Sequence, residues 1–247
     1  MNNPYITTYL TTTDRVIPRE IDNNIEVYIK KNIEKEYTGK CFNDYGFIVK
    51  VHEIDIISDG IIIPEDPMCC ATYKIRFLAT LCRPLQNTVI TAKIIGMSEQ
   101  LIFLSYGPLE IIVKTVNGIN KNIFTFNSNL SRWTYKKSDE KNTQNTQNTQ
   151  NTQNTQKFIV LKNESYLKVK ILSKKIVDKT RQIICIGFVE DIANDKEIEK
   201  SIKDMYEPRK YDNLDEYIDL EKKIQEAIET NMDTGDVTTD IMSDNDI

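Results

Sequence analysis

The chain has 247 residues, with 32 basic and 37 acidic side chains for a formal net charge of −5, and 40% of its positions are apolar. That composition excludes a wholly disordered chain, a collagen and a disulfide miniprotein, and leaves room for one or two ordinary domains. No stretch reaches the roughly 18 to 20 continuous apolar residues of a membrane span. The start, MNNPYITTYLTTT, lacks the basic and apolar regions of a signal peptide, so a soluble, intracellular protein with no membrane partner is expected. Five cysteines form no C-x-x-C pair, and one histidine, His52, is available to complete a metal site; neither structural zinc nor a disulfide framework is expected. The charge is divided along the chain: residues 1–189 carry 25 basic and 18 acidic side chains, net +7, and residues 190–247 carry 7 and 19, net −12. Clustered cations on a basic body are the electrostatic footprint of polyanion binding, although +7 over this length is a weak signal.

In chain order, Tyr5 to Thr13 is β-branched and aromatic and reads as a strand. Pro18 to Tyr37 carries Ile21, Ile25, Tyr28, Ile29 and Ile33 at helical spacing, with Pro18 suited to a first turn. Tyr45 to Ile54 runs apolar after an Asn-Asp turn. Tyr73, Ile75, Phe77, Ala79 and Leu81 then alternate with Lys74, Arg76 and Thr80, the pattern of a half-buried strand. The first 86 residues thus read as a small α+β domain with one helix on an antiparallel sheet.

From Thr88 the pattern becomes short strands broken by turns: TVITAKII, LIFLSY closed by Gly107-Pro108, then LEIIVK, and later Tyr166 to Lys175 and Gln182 to Val189. Five strands with a long excursion between the third and fourth match an OB-type barrel, a fold used widely for single-stranded nucleic acid. Inside the excursion, residues 142–156 are five Asn-Thr-Gln triplets with no apolar residue to bury, a low-complexity insertion. Arg132 to Lys137 interleaves basic and aromatic residues, which suits either stacking on RNA or, the favoured reading, an anchor that packs Trp133 onto the barrel. Beyond Asp191, helices are expected over Asp195–Tyr206 and Leu214–Ile228, the second capped by Asp212, before an acidic, unstructured end. The expected class is α+β, mainly β, with units at 1–86, 87–191 (insertion at 139–157) and 192–247.

Four strings now converge in order: TGKCFNDYGFIVKV (Thr38 to Val51), YKIRFLATLCRP (Tyr73 to Pro84), YGPLEIIV (Tyr106 to Val113), and SYLKVKIL followed by ICIGFVEDIA. Together they resemble the stalk-forming seventh subunit of eukaryotic RNA polymerase II and its archaeal E-type counterpart, over roughly Tyr5 to Asp191. The resemblance implies a non-catalytic subunit of a DNA-directed RNA polymerase, with a large DNA virus as one source. Its tip domain would dock on the polymerase core near the clamp, and its barrel would project near the RNA exit path. A small helical partner, of the fourth-subunit or archaeal F type, completes such a stalk, and no cofactor is implied. The setting would be the nucleus for a cellular protein, and the host cytoplasm or virion for a viral one.

The chain also departs from that family. Ile63-Pro64-Glu65-Asp66-Pro67-Met68 stands for I-P-G-R-G-F at the tip, and Lys114-Thr115-Val116 replaces a basic S-R-H after the third barrel strand. Core docking is assigned on the resemblance to Tyr45, Ile62, Ile63, Pro64 and Asp66. Contact with RNA needs aromatic platforms and cations; the candidates are Phe103 for stacking and Lys93, Lys114, Lys168 and Lys170 for phosphates. His52, in V-H-E-I-D, reads as a strand-face histidine, and Cys69-Cys70 as small strand residues. With no phosphate loop, H-E-x-x-H or EF-hand pattern, no catalytic or metal residue is assigned. The rival reading is a free-standing OB-fold RNA-binding protein.

Overall fold

The computed structural model describes residues 3–136, 158–215, 217–219, 221–223 and 226. The Asn-Thr-Gln triplets and the acidic end lie outside the described residues, as do Ile224 and Ile228 of the expected last helix. The first 82 residues form β1 (Tyr5–Val16), α1 (Ile25–Tyr37), β2 (Cys41–Phe42), β3 (Gly46–Ile56), β4 (Ile61–Ile62) and β5 (Ala71–Cys82). The strands lie in the order β1, β5, β3, β2, the last only two residues long, with the equally short β4 also pairing with β5. The alternation read in β5 is the reason it is central: Ile75, Phe77, Ala79 and Leu81 all point into one core beneath α1. From α1, Ile29 and Ile33 enter that core, where Phe42 and Phe77 meet edge to face.

Two local expectations are corrected. The helix starts at Ile25, and Pro18–Glu20 is a separate 3-10 turn, which leaves Ile21 exposed. The cause is Asp22-Asn23-Asn24, whose side chains compete for backbone hydrogen bonds; Asp22 Oδ1 accepts from Asn24 N at 2.8 Å. Cys69 and Cys70 lie in the loop before β5, with Cys69 at φ +50°, and are not strand residues. Tyr45 likewise belongs to the turn before β3.

The second unit is a closed five-stranded barrel of the OB type. Its strands are β6 (Val89–Met97), β7 (Leu101–Tyr106), β8 (Leu109–Lys114), β12 (Tyr166–Lys175) and β13 (Ile183–Ile192), in the order β12, β13, β8, β7, β6. All pairs are antiparallel except β8 with β13. Every second residue fills the interior: Ile90, Ala92 and Ile94, Ile102 and Leu104, Ile111 and Val113, Leu167, Val169 and Ile171. At Gly187 the walls approach so closely that a Cβ would lie 2.4 Å from Val169 Cγ1. The excursion holds a small sheet that the sequence did not disclose, β9 (Phe124–Asn127), β10 (Arg132–Lys136) and β11 (Phe158–Val160). It closes one end of the barrel through Phe124 and Trp133, both in the barrel core, and Trp133 Nε1 donates to Ser98 O at 2.8 Å.

The C-terminal segment ties the two units together. Helix α2 (Asp195–Tyr206) packs on β6, and Tyr106 donates its hydroxyl proton to Ser201 O at 3.1 Å. The short β14 (Arg209–Lys210) then adds to β1 in parallel, and described residues between 214 and 226 are helical. Asn213 rather than Asp212 caps this last helix, since its Oδ1 accepts from Asp215 N at 3.1 Å. Leu214 and Tyr217 enter the first core, and Tyr217 donates to Arg83 O at 3.1 Å. Glu221 reaches Arg83 at 3.0 Å and also pairs with Lys174 of β12. Arg83 and Lys174 are largely buried, so deleting their shared carboxylate strands two cations away from water. Glu221→Ala should cost about 3 kcal/mol of stability, read as a lowered midpoint in chemical denaturation; an unchanged midpoint would mean that the cluster is solvated in solution.

Candidate functional site

The sequence-assigned residues fall on two surfaces. The first is the loop between β3 and β5. Its apolar side chains face solvent, with Ile61 64%, Ile62 54%, Ile63 53% and Met68 64% exposed, and Pro64 exposed beside them. Isolated exposed apolar residues are ordinary, but a contiguous run on one loop makes it a candidate interaction surface. The loop is held from beneath. Ile61 and Ile62 pair with Thr72 and Ala71 of β5, Ser58 Oγ accepts from Lys74 N at 2.8 Å, and a Cβ on Gly60 would strike the Tyr73 ring.

Asp66 is the staple of this loop. Its carboxylate accepts from Met68 N at 3.1 Å and Cys70 N at 3.3 Å, and pairs with Arg15 of β1. The amide bond from Met68, then the Arg15 guanidinium, hold the Asp66 carboxyl below its ordinary 3.8. Ile62, Ile63, Pro64 and Asp66 are therefore brought together, with the three apolar residues outward and the acid turned onto its own loop. Tyr45 is separate. It lies at the opposite end of β3, about 30 Å away by strand rise, where its ring packs on Phe42 and its carbonyl accepts from Arg83 at 3.0 Å.

The second surface is the outside of the barrel. Phe103 is half-buried on the outer face of β7 and is registered opposite Ile112 of β8, which is in turn opposite Ile186 of β13. Two residues along those same faces stand Lys114 and Phe188, and Phe188 is registered with Lys170 of β12. Strand pairing thus gathers Phe103, Lys114 and Lys170 onto one face, with Phe188, Ile112 and Ile186 between them. Those last three escaped the sequence assignment, although the alternation in Ile184-Cys185-Ile186-Gly187-Phe188 carried the signal: its outward positions are apolar too.

Lys93 and Lys168 are also outward but are already paired. Lys93 meets Glu164 at 3.1 Å, and Lys168 meets Glu197 of α2 at 2.8 Å. Glu197 also accepts from Asn194 N at 2.9 Å. Desolvation pushes the Glu197 carboxyl upward, but the Asn194 amide and the Lys168 ammonium outweigh it and hold the carboxyl below its usual range. His52, on β3, bonds Thr80 Oγ1 through Nε2 at 2.8 Å, a strand-face arrangement. Among the described residues no group of three or more His, Cys, Asp and Glu side chains is placed to hold a metal ion.

Comparisons with known proteins follow this geometry. Residues 15–67, which end inside the exposed loop, match the SHS2 domain found in the N terminus of Rpb7p/Rpc25p/MJ0397. The chain is 25% identical over 195 residues to a putative DNA-directed RNA polymerase subunit, L376, of Acanthamoeba polyphaga mimivirus, covering 78% of this chain and 86% of that protein. It is 24% identical over 174 residues to DNA-directed RNA polymerase II subunit RPB7 of Glycine max, covering 70% and 85%. Against RPB7 of Saccharomyces cerevisiae the identity is 24% over 115 residues, covering 46% and 65%. These similarities bear out the stalk-subunit resemblance drawn from the four strings.

The Asp66 contacts give the loop a pH dependence of definite sign. A depressed carboxyl stabilises the folded loop at any pH above the ordinary Asp value, and that contribution is lost as pH falls through the lower folded value. Amide resonances of Met68 and Cys70 should hold steady from neutral pH down to about 4 and shift below it. In Asp66→Asn they should be displaced already at neutral pH; identical spectra for the two proteins would refute the staple.

Proposed function

We propose that this chain is a non-catalytic stalk subunit of a DNA-directed RNA polymerase, with residues 1–86 as the docking tip, 87–191 as the barrel around its insertion and 192–247 as an extension. The observation that carries the reading is the reach of the similarity. It runs over 195 residues of a relative named as a polymerase subunit, and the family match covers the tip up to the exposed loop. The loop supplies what docking requires: Ile62, Ile63 and Pro64 held outward on a stapled turn. Burying two isoleucines against a core subunit near the clamp contributes about 1.5–3 kcal/mol each, and the preformed loop limits the ordering cost. Tyr45, at the far end of the tip sheet, is a second contact.

The barrel's role is to meet the transcript as it leaves the core. Phe103 and Phe188 offer faces on which bases stack, at about 1–3 kcal/mol per base. Lys114 and Lys170 stand beside them for phosphates, without sequence preference. Lys93 and Lys168 join once their carboxylate partners yield. Chemistry remains with the core, and a small helical chain of the fourth-subunit type is the expected stalk partner. Cellular polymerase II relatives fit a nuclear setting, and the mimivirus relative fits a viral factory or virion.

Affinity capture of the tagged full-length chain from its native extract should recover the two large polymerase subunits. The Ile62→Asp, Ile63→Asp double variant should reduce that recovery about ten-fold or more with an unchanged circular dichroism spectrum. Recovery of ribosomal or RNA-handling proteins alone would overturn docking and favour a free-standing barrel. For the second surface, Lys114→Gln and Lys170→Gln should each weaken single-stranded RNA binding and shallow its log–log salt slope by about 0.7; unaltered slopes would remove these lysines from the RNA path.

A further inference from the structure

The C-terminal segment does more than join the units, because it carries an acid onto a cation of the barrel. Helix α2 packs on β6 and is tied down by the end of β7 and by the residues before β1. Tyr106 bonds Ser201 O, and Asn3 Nδ2 donates to Asp204 O and Glu207 O, both at 2.9 Å. Behind it, β14 on β1, Tyr217 in the tip core and Glu221 between Arg83 and Lys174 anchor the chain. This anchoring presents Glu197 at the start of α2, where its carboxylate meets the Lys168 ammonium at 2.8 Å. Lys168 is registered beside Thr91 of β6 on one side and Asp191 of β13 on the other. The Asp191 carboxylate is engaged elsewhere, its Oδ1 accepting from Ile192 N at 2.8 Å. Two residues along β12 on the same face, Lys170 has Val89 and Phe188 for neighbours instead.

We propose that the start of α2 is an autoinhibitory cover, in which the Glu197 carboxylate occupies Lys168 in place of an RNA phosphate and must swing aside, the segment behind it staying anchored, for the transcript to use that end of the barrel. The proposal rests on the barrel being the RNA surface. A tethered carboxylate competes at high effective concentration, so Lys168 contributes little to RNA binding while the cover is seated, whereas Lys170 contributes throughout. Exchanging one anion for another on Lys168 makes no net new ion pair, so that lysine adds little to the salt dependence of RNA binding while the cover is seated.

The test uses the full chain and a fluorescently labelled single-stranded oligouridylate, titrated over a range of salt concentrations. Glu197→Gln keeps an oxygen for Asn194 N but removes the charge, so the melting temperature should stay close to that of the parent. Binding at low salt should tighten about two- to five-fold, the range of one surface ion pair, and the salt slope should steepen by about 0.7. Lys168→Gln should be almost silent in the parent but should abolish the gain in the Glu197→Gln background. If Glu197→Gln leaves affinity and slope unchanged while Lys170→Gln weakens binding, the cover is refuted and the RNA surface stands. If neither the parent nor any variant binds the oligonucleotide, the RNA reading fails and takes the cover with it.

Discussion

Arg83 is the residue on which the rest of the structure turns. It follows the last residue of β5, so it stands where the tip sheet ends and the barrel begins. Its guanidinium reaches back to the carbonyls of Asp44 and Tyr45 in the tip, and outward to Glu221, which also holds Lys174 of the barrel. Its backbone N–H donates to Pro4 O at 2.8 Å, and its own carbonyl accepts from Tyr217. A guanidinium suits this position because its five donors, fixed in a planar fork, reach acceptors on both sides of the junction at once. The cost of burying it is offset by those carbonyls together with the Glu221 carboxylate, the one counter-charge among these partners, so the C-terminal segment is a structural part of the junction.

The cores meet at the same place. Leu81 points into the tip core, while its neighbour Cys82 and the facing Tyr5 belong to the barrel core. Burial raises the thiol of Cys185 to about 12 and moves those of Cys41 and Cys82 upward as well. These cysteines are packing residues, kept in the thiol form at neutral pH. With one strand pair feeding both cores, the exposed loop at one end of the tip and the aromatic and cationic face of the barrel are set at fixed positions on one framework. Under the proposed docking, seating the first would fix where the second stands.

Much of this framework was legible because it is periodic. The alternation in β5 and β12 announced which residues point inward, and each barrel strand formed where apolar runs ended in turns. The parts that were hidden depend on partners distant in sequence. Arg209-Lys210 has no strand character of its own and pairs only because β1 offers a free edge. Glu221 looked like one charge among many on a solvated helix until Arg83 and Lys174, 138 and 47 residues away, were brought to it. The helix start was misjudged for a local reason, since apolar spacing extended to Ile21 but the Asp-Asn-Asn run opposed it. At the candidate site the same division holds. Phe103, Lys114 and Lys170 could be named from residue type, but only strand register put Phe188 among them, and only the fold paired Lys168 with an acid.

If the tip loop meets polymerase core subunits while the barrel meets the transcript, probes on the two surfaces should be joined to different partners. The most direct measurement is site-specific photo-crosslinking in the purified, transcribing polymerase assembly, with benzoylphenylalanine placed at Ile62 in one protein and at Phe103 in another. The account predicts that the probe at Ile62 is joined to a large polymerase subunit and the probe at Phe103 to nascent RNA. A probe at Ile62 that reaches no polymerase subunit, in an assembly that retains the chain, would contradict it.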